Sequence, residues 1–91
     1  GIMPLKDDTT AIVLMNDSNF GLIASLWTKN PKRAESIADQ IVTGTVYMNR
    51  ADYLDPAPCW TGCKDTGRDG GLSIIGYHNL TRPKSYHLKK A

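Results

Sequence analysis

Cys59 and Cys63 stand four residues apart, with His78 and His87 further along the chain, and no other cysteine or histidine is present. Thiolate sulfur and imidazole nitrogen are ligands that zinc favours, so a four-ligand site can be drawn from them. The spacing argues against it. Structural zinc sites use close pairs such as C-x2-C and H-x3-5-H, whereas these histidines lie nine apart on different expected elements. The same residues contain the ingredients of nucleophilic catalysis, in which histidine takes the proton of a thiol. That chemistry requires a lowered thiol pKa and a third group orienting the imidazole, which spacing does not encode, so the cysteines read as small apolar or loop side chains. A disulfide between them is sterically conceivable, but a reducing cytosolic setting opposes it.

Glu35 is the one glutamate among nine acids, and it sits with Lys32, Arg33 and Ser36 on the polar side of an expected helix. A solvated surface charge describes it better than a general base. Gly62-Cys63-Lys64-Asp65-Thr66-Gly67 has the glycines, lysine and hydroxyl of a phosphate loop. It lacks the G-x-x-x-x-G-K-[ST] order and does not join a strand to a long helix. Arg82, Lys84, Lys89 and Lys90 lie in the last ten residues, leaving seven cations against nine acids elsewhere. With net charge +2 this tail leaves a shallow footprint for nucleic acid, and an ordinary solvated edge is expected instead.

The elements that would position these groups follow from pattern and caps. Ile2 to Leu5 is a short apolar run that suits a strand. Asp7-Asp8-Thr9-Thr10 supplies cap oxygens and first-turn negative charge for a helix from about Thr9 to Met15 or Asn16, which Asn16-Asp17-Ser18-Asn19 stops. Phe20 to Trp27 is apolar on both alternating faces, as expected of a strand covered on both sides. Asn30 then caps a second helix with Pro31 at its first position, an apolar stripe of Ala34, Ile37, Ala38 and Ile41, and Gly44 at its end. Thr45 to Met48 is β-branched and aromatic, a further strand. Two helical crossovers between strands predict an α/β fold: a small open sheet with two or three helices. Arg50 to Gly71 has no apolar period and is expected to be a long loop, of the kind that is functional or disordered. Leu72 to Leu80 suits a short helix with Ser73 as cap, and Lys84 to Lys90 an exposed edge strand.

Length and composition bound the answer. Ninety-one residues at 10.0 kDa make one small domain. A chain of this size buries only about 60–65% of its unfolded surface. Apolar residues at 41% and charged residues at 22% exclude a disordered tail or a disulfide-dense scaffold. No apolar run approaches the roughly 18 residues of a membrane span, and the N-terminus lacks a signal-peptide pattern. No membrane partner and a cytoplasmic location are expected.

Three separated stretches resemble a known family. Leu14 to Thr28 (LMNDSNFGLIASLWT), Thr43 to Arg50 (TGTVYMNR) and Trp60 to Gly67 (WTGCKDTG) resemble, in order and spacing, the C-terminal part of the NAD(P)-dependent aldehyde dehydrogenases. The similarity runs essentially from Gly1 to Lys90, and Gly1-Ile2-Met3-Pro4-Leu5 looks like the family sequence just after its E-[IL]-F-G-P motif. The resemblance implies two parts: residues 1–80 as the end of a catalytic domain and residues 81–91 as a terminal oligomerisation strand.

In that family a reactive cysteine attacks the aldehyde, hydride passes to NAD or NADP, and glutamate-activated water hydrolyses the thioester. The resemblance puts all of those groups upstream of this region. Neither Cys59 nor Cys63 matches the nucleophile, Glu35 matches neither functional glutamate, and no cofactor is expected on this chain alone. What carries over is the pocket wall. Asn49 matches the asparagine that opens the substrate-entrance loop, Asp52, Tyr53 and Leu54 lie on that loop, and Trp60 matches the aromatic residue lining the pocket. Gly62, Lys64 and Gly67 match a G-x-K-x-[ST]-G pattern, with Thr66 for the commoner Ser and Thr61 where many members have Gly. Lys84 to Lys90 matches the strand that joins a neighbouring subunit, making a second copy or a full-length subunit the expected partner. A truncated interaction module that associates through this edge is the rival reading, and a small zinc module a third.

Overall fold

A computed structural model describes all 91 residues. Asp7 caps the first helix, α1 (Asp8–Asn16), by accepting a 2.8 Å bond from the Thr10 N–H. Hydrogen bonding to the Thr10 side chain, and then to its N–H, holds the Asp7 carboxyl below the usual carboxylate range. Asn30 caps α2 (Pro31–Ala38) in the same way at 3.1 Å from the Arg33 N–H, with Pro31 opening the helix where a missing N–H costs nothing. Arg33 reaches back to the first turn of α1, where its Nε and Nη2 donate to both carboxylate oxygens of Asp8 at 2.7 and 2.5 Å. The guanidinium bonds lower the Asp8 pKa and raise that of Arg33.

Between the helices the chain forms β1 (Phe20–Gly21) and β2 (Ile23–Leu26), and after α2 comes β3 (Thr45–Met48). β2 and β3 are parallel, with Ile23 opposite Thr45 and Leu26 opposite Met48, so β2–α2–β3 is one crossover unit. The expected stripe on α2 faces inward: Ala34 and Ile41 are buried, and Ile37 and Ala38 half-buried. Further on lie β4 (Trp60–Thr61), β5 (Cys63–Lys64), β6 (Gly70–Gly71) and α3 (Ser73–Asn79). β5 pairs antiparallel with β1, and β6 antiparallel with β4.

The α/β class with three helices and small open sheets is as the sequence implies, and several details differ. The Phe20 to Trp27 strand is two strands, because the chain changes partner at Leu22 from β5 to β3. Nor is it covered on both faces, since Phe20 and Trp27 are 65% and 69% exposed. Ile2 to Leu5 forms no strand, having no ladder partner, so the chain holds one crossover rather than two. α2 ends at Ala38 rather than at Gly44. Tighter turns continue it, with the Gln40 and Ile41 N–H groups bonded to the Ile37 and Ala38 carbonyls. Gly44 answers a different demand: a Cβ there would lie 1.6 Å from the Thr61 carbonyl oxygen. Ser73 is the first residue of α3 rather than its cap, and Leu72 holds the cap position at φ 61°. Lys84 to Lys90 has no regular secondary structure and no strand beside it.

Candidate functional site

The turn from Gly62 to Gly67 is the best-connected piece of the long loop. Lys64 adopts φ 55° and Gly67 φ 130°, so the backbone turns back sharply. The Lys64 ammonium donates to the carbonyls of Asn16 and Ser18, both at 2.8 Å. Asn16 is the last residue of α1, so this places a cation on a carbonyl with no partner inside the helix, which the Ser18 N–H also bonds at 2.9 Å. The Asp65 N–H bonds the Asn19 carbonyl at 2.9 Å, and the Thr66 hydroxyl accepts from the Gly21 N–H at 2.9 Å. Gly62 is required because a Cβ there would meet the Thr66 methyl at 2.6 Å. Each position of the G-x-K-x-T-G pattern therefore helps clamp the turn between α1 and β1. The Lys64 ammonium and the Thr66 hydroxyl are already engaged, so this loop does not fit the phosphates of a dinucleotide.

Trp60 leads into that clamp from β4, opposite Gly71. Its indole is 42% exposed and walls an open cleft of about 360 Å³ together with Leu22, Thr61, Gly62, Thr66 and Gly67. The Thr61 backbone is closely approached by Gly44, and the residue at this position is a threonine in this sequence. Its hydroxyl donates to the Asp69 carbonyl at 3.2 Å.

Asn49 follows β3 directly and starts the long loop with φ 55°. Its amide oxygen accepts from the Thr28 N–H at 2.9 Å, and its amide nitrogen donates to the Thr28 carbonyl at 2.8 Å. Further along, the Arg50 guanidinium stacks 3.8 Å from the Tyr53 ring centroid, and the Tyr47 hydroxyl donates to the Tyr53 carbonyl at 2.6 Å. Asp55 closes a turn by accepting from the Ala57 N–H at 2.9 Å, and the Pro56 carbonyl accepts from the Ser73 N–H at 2.9 Å, tying the loop to α3. Asp52 is exposed and Leu54 is 73% exposed. The structure thus joins Tyr53 to Arg50 and Tyr47. The cleft beside Trp60 is lined by none of Asn49, Asp52, Tyr53 or Leu54.

The remaining candidates lie elsewhere. Both cysteines are free thiols. The Cys59 sulfur lies against Gly70, while Cys63 faces Gly21 across the β1–β5 ladder. No three His, Cys, Asp or Glu side chains gather where they could hold a metal ion. Glu35 is exposed on α2 beside Lys32, Ser36 and Asp39. Asn16 escapes a sequence reading that sees only a turn former. Its amide donates to the Gln40 carbonyl and accepts from the Val42 N–H, both at 2.8 Å, joining α1 to the segment after α2. Its place at the end of a helix, ahead of Asp-Ser-Asn, was the available signal.

The sequence profile described as the aldehyde dehydrogenase family matches residues 1–86. The chain belongs to the aldehyde dehydrogenase family. It is 35% identical over 81 residues to phenylacetaldehyde dehydrogenase of Pseudomonas fluorescens, covering 87% of this chain and 16% of that protein. It is 33% identical over 79 residues to 2-hydroxymuconic semialdehyde dehydrogenase of Pseudomonas putida, covering 85% and 16%. Among solved structures, it superposes on the NAD+ complex of the Bacillus cereus aldehyde dehydrogenase with a TM-score of 0.83 and 29% identity, covering 88% of this chain and 16% of that one. The succinic semialdehyde dehydrogenase of Streptococcus pyogenes, in complex with NADP+, gives a TM-score of 0.77 at 30% identity, covering 80% and 16%. The chain therefore spans about a sixth of the length of the relatives it matches.

Proposed function

We propose that this chain serves as the C-terminal part of an aldehyde dehydrogenase that oxidises an aldehyde to a carboxylic acid with NAD or NADP. It supplies the substrate-entrance loop and the subunit-contact end. The nucleophilic cysteine, the general-base glutamate and the cofactor site belong to other parts of that enzyme. The observation that carries this reading is the scarcity of interior. Only four of 91 residues, Gly21, Ala24, Ala34 and Ile41, are buried, while Ile74, Tyr77, Leu80 and Leu88 stand 71–87% exposed. The radius of gyration is 18.3 Å, where a compact domain of this length has about 12 Å. Apolar surface of this kind marks faces that bind something. A family whose members are some six times longer supplies the obvious cover.

In this reading Trp60 is a flat, rigid apolar wall that orients the aldehyde carbon and excludes water during hydride transfer. Asn49, Asp52, Tyr53 and Leu54 complete the entrance once the loop packs against the rest of a subunit. Lys84 to Lys90 adds as a strand to a neighbouring subunit or a second copy, which suits a segment whose backbone pairs with no strand of this chain. That same segment supports the second reading, a stand-alone module that associates through its edge. A cytoplasmic location fits the two free thiols. No helix is long and apolar enough to cross a membrane.

Incubation of the purified chain with varied aldehydes and NAD or NADP, followed at the absorbance of reduced nicotinamide, tests the reading. No turnover is expected. Sustained turnover that Cys59→Ser or Cys63→Ser abolishes would overturn it.

A further inference from the structure

We propose that Asn49 is the positioning residue of the entrance loop: its amide clasps both backbone polar groups of Thr28 and fixes the direction in which the chain leaves β3. The inference rests on the reading of residues 50–59 as that loop and names the device that holds its base. The last register pair of the parallel ladder is Leu26 with Met48. The Asn49 N–H extends it by one bond to the Leu26 carbonyl at 2.8 Å. The side-chain amide then adds two more to Thr28, at 2.9 and 2.8 Å.

The residue type is dictated twice. A φ of 55° is costly for most side chains and mild for asparagine. Only an amide also presents a donor and an acceptor side by side, as a peptide group does. Aspartate lacks the donor, and glycine lacks both. Thr28 is itself fixed, because its hydroxyl accepts from the Asn30 N–H at 3.1 Å in the turn that starts α2. The clasp therefore ties the take-off of the loop to the start of α2, and Tyr47 and Arg50 hold it at Tyr53.

Amide exchange on the full chain tests this without turnover, so its failure would leave the enzymatic reading standing, and turnover by the chain would leave the clasp standing. In the unaltered chain the Thr28 amide should be protected to within about tenfold of the β2–β3 ladder amides. Exchange of Thr28 at the free-peptide rate overturns the proposal. Asn49→Gly keeps the backbone conformation and deletes the clasp. Thr28 protection should fall about tenfold or more while the ladder holds, and trypsin should cut faster after Arg50 but not after Lys84. Unchanged Thr28 protection in this variant contradicts the proposal, as does equal loosening at every site. Asn49→Asp adds a readout that a general structural role does not move. Its carboxylate faces the Thr28 carbonyl, and protonation near pH 4 restores the missing donor. Thr28 protection relative to the ladder should therefore rise as the pH falls through that range, and a flat profile contradicts the proposal.

Discussion

Ile23–Leu26 and Lys84 to Lys90 have comparable strand-forming material and end in opposite states. The first alternates Ile23 and Ser25 with Ala24 and Leu26, and it lies in a parallel ladder against β3 with Ala24 buried. The second alternates Tyr86 and Leu88 with Ser85, His87 and Lys89, and it touches no strand, with Tyr86 71% and Leu88 87% exposed. What separates them is not the pattern. A strand is stable only where its backbone donors and acceptors meet a partner, and β2 has one delivered by the α2 crossover whereas the tail has none in this chain.

The largest break in this contrast is expected from Gly44→Ala. Its Cβ would collide with the Thr61 carbonyl, and backbone is slow to yield, so a loss of about 3 kcal/mol or more in urea unfolding is expected. Ile41→Ala comes next. It empties a buried site at the end of the α2 stripe and should lower stability by about 2–3 kcal/mol, with the ladder amides losing protection first.

A smaller effect comes from acid. Asp7 and Asp8 are both held below their ordinary pKa, by the Thr10 and Arg33 hydrogen bonds respectively. A depressed carboxylate favours the folded state above its unfolded pKa, and that support is lost as pH falls through the lower folded value. Melting temperature should therefore be insensitive to these groups from pH 5 to 8 and fall below about pH 4. Asp8→Asn should flatten part of that decline. Smallest of all is Leu88→Ala, which should leave the unfolding free energy of the isolated chain unchanged within about 0.5 kcal/mol. A larger loss would mean that the tail already has a packing partner.

The same contrast explains what could be read from sequence. α2 was legible because its signals are local: Asn30, Pro31 and a stripe at helical spacing act within one element. The split at Leu22 was not, because it depends on β5 arriving from about forty residues away. Nor were the short ladders inside the long loop, since Trp60 with Gly71 and Cys63 with Gly21 are pairings between distant segments with no periodicity of their own. The G-x-K-x-T-G pattern was visible as a motif. Its work was not, because it lies in contacts from Lys64 and Thr66 to Asn16, Ser18 and Gly21. Asn49 was legible as the start of a loop, while the clasp on Thr28 required the two strand ends to be seen together.

The division between a strand-paired body and an unpaired tail is tested most directly by limited trypsin digestion of the chain with mass-resolved timing of each cut. The structure predicts first cleavage after Lys84 and Lys89, where the backbone is unpaired. The bonds after Arg33 in α2 and after Lys64 in the clamp should survive longest. Cleavage after Arg33 or Lys64 as early as in the tail would contradict this account.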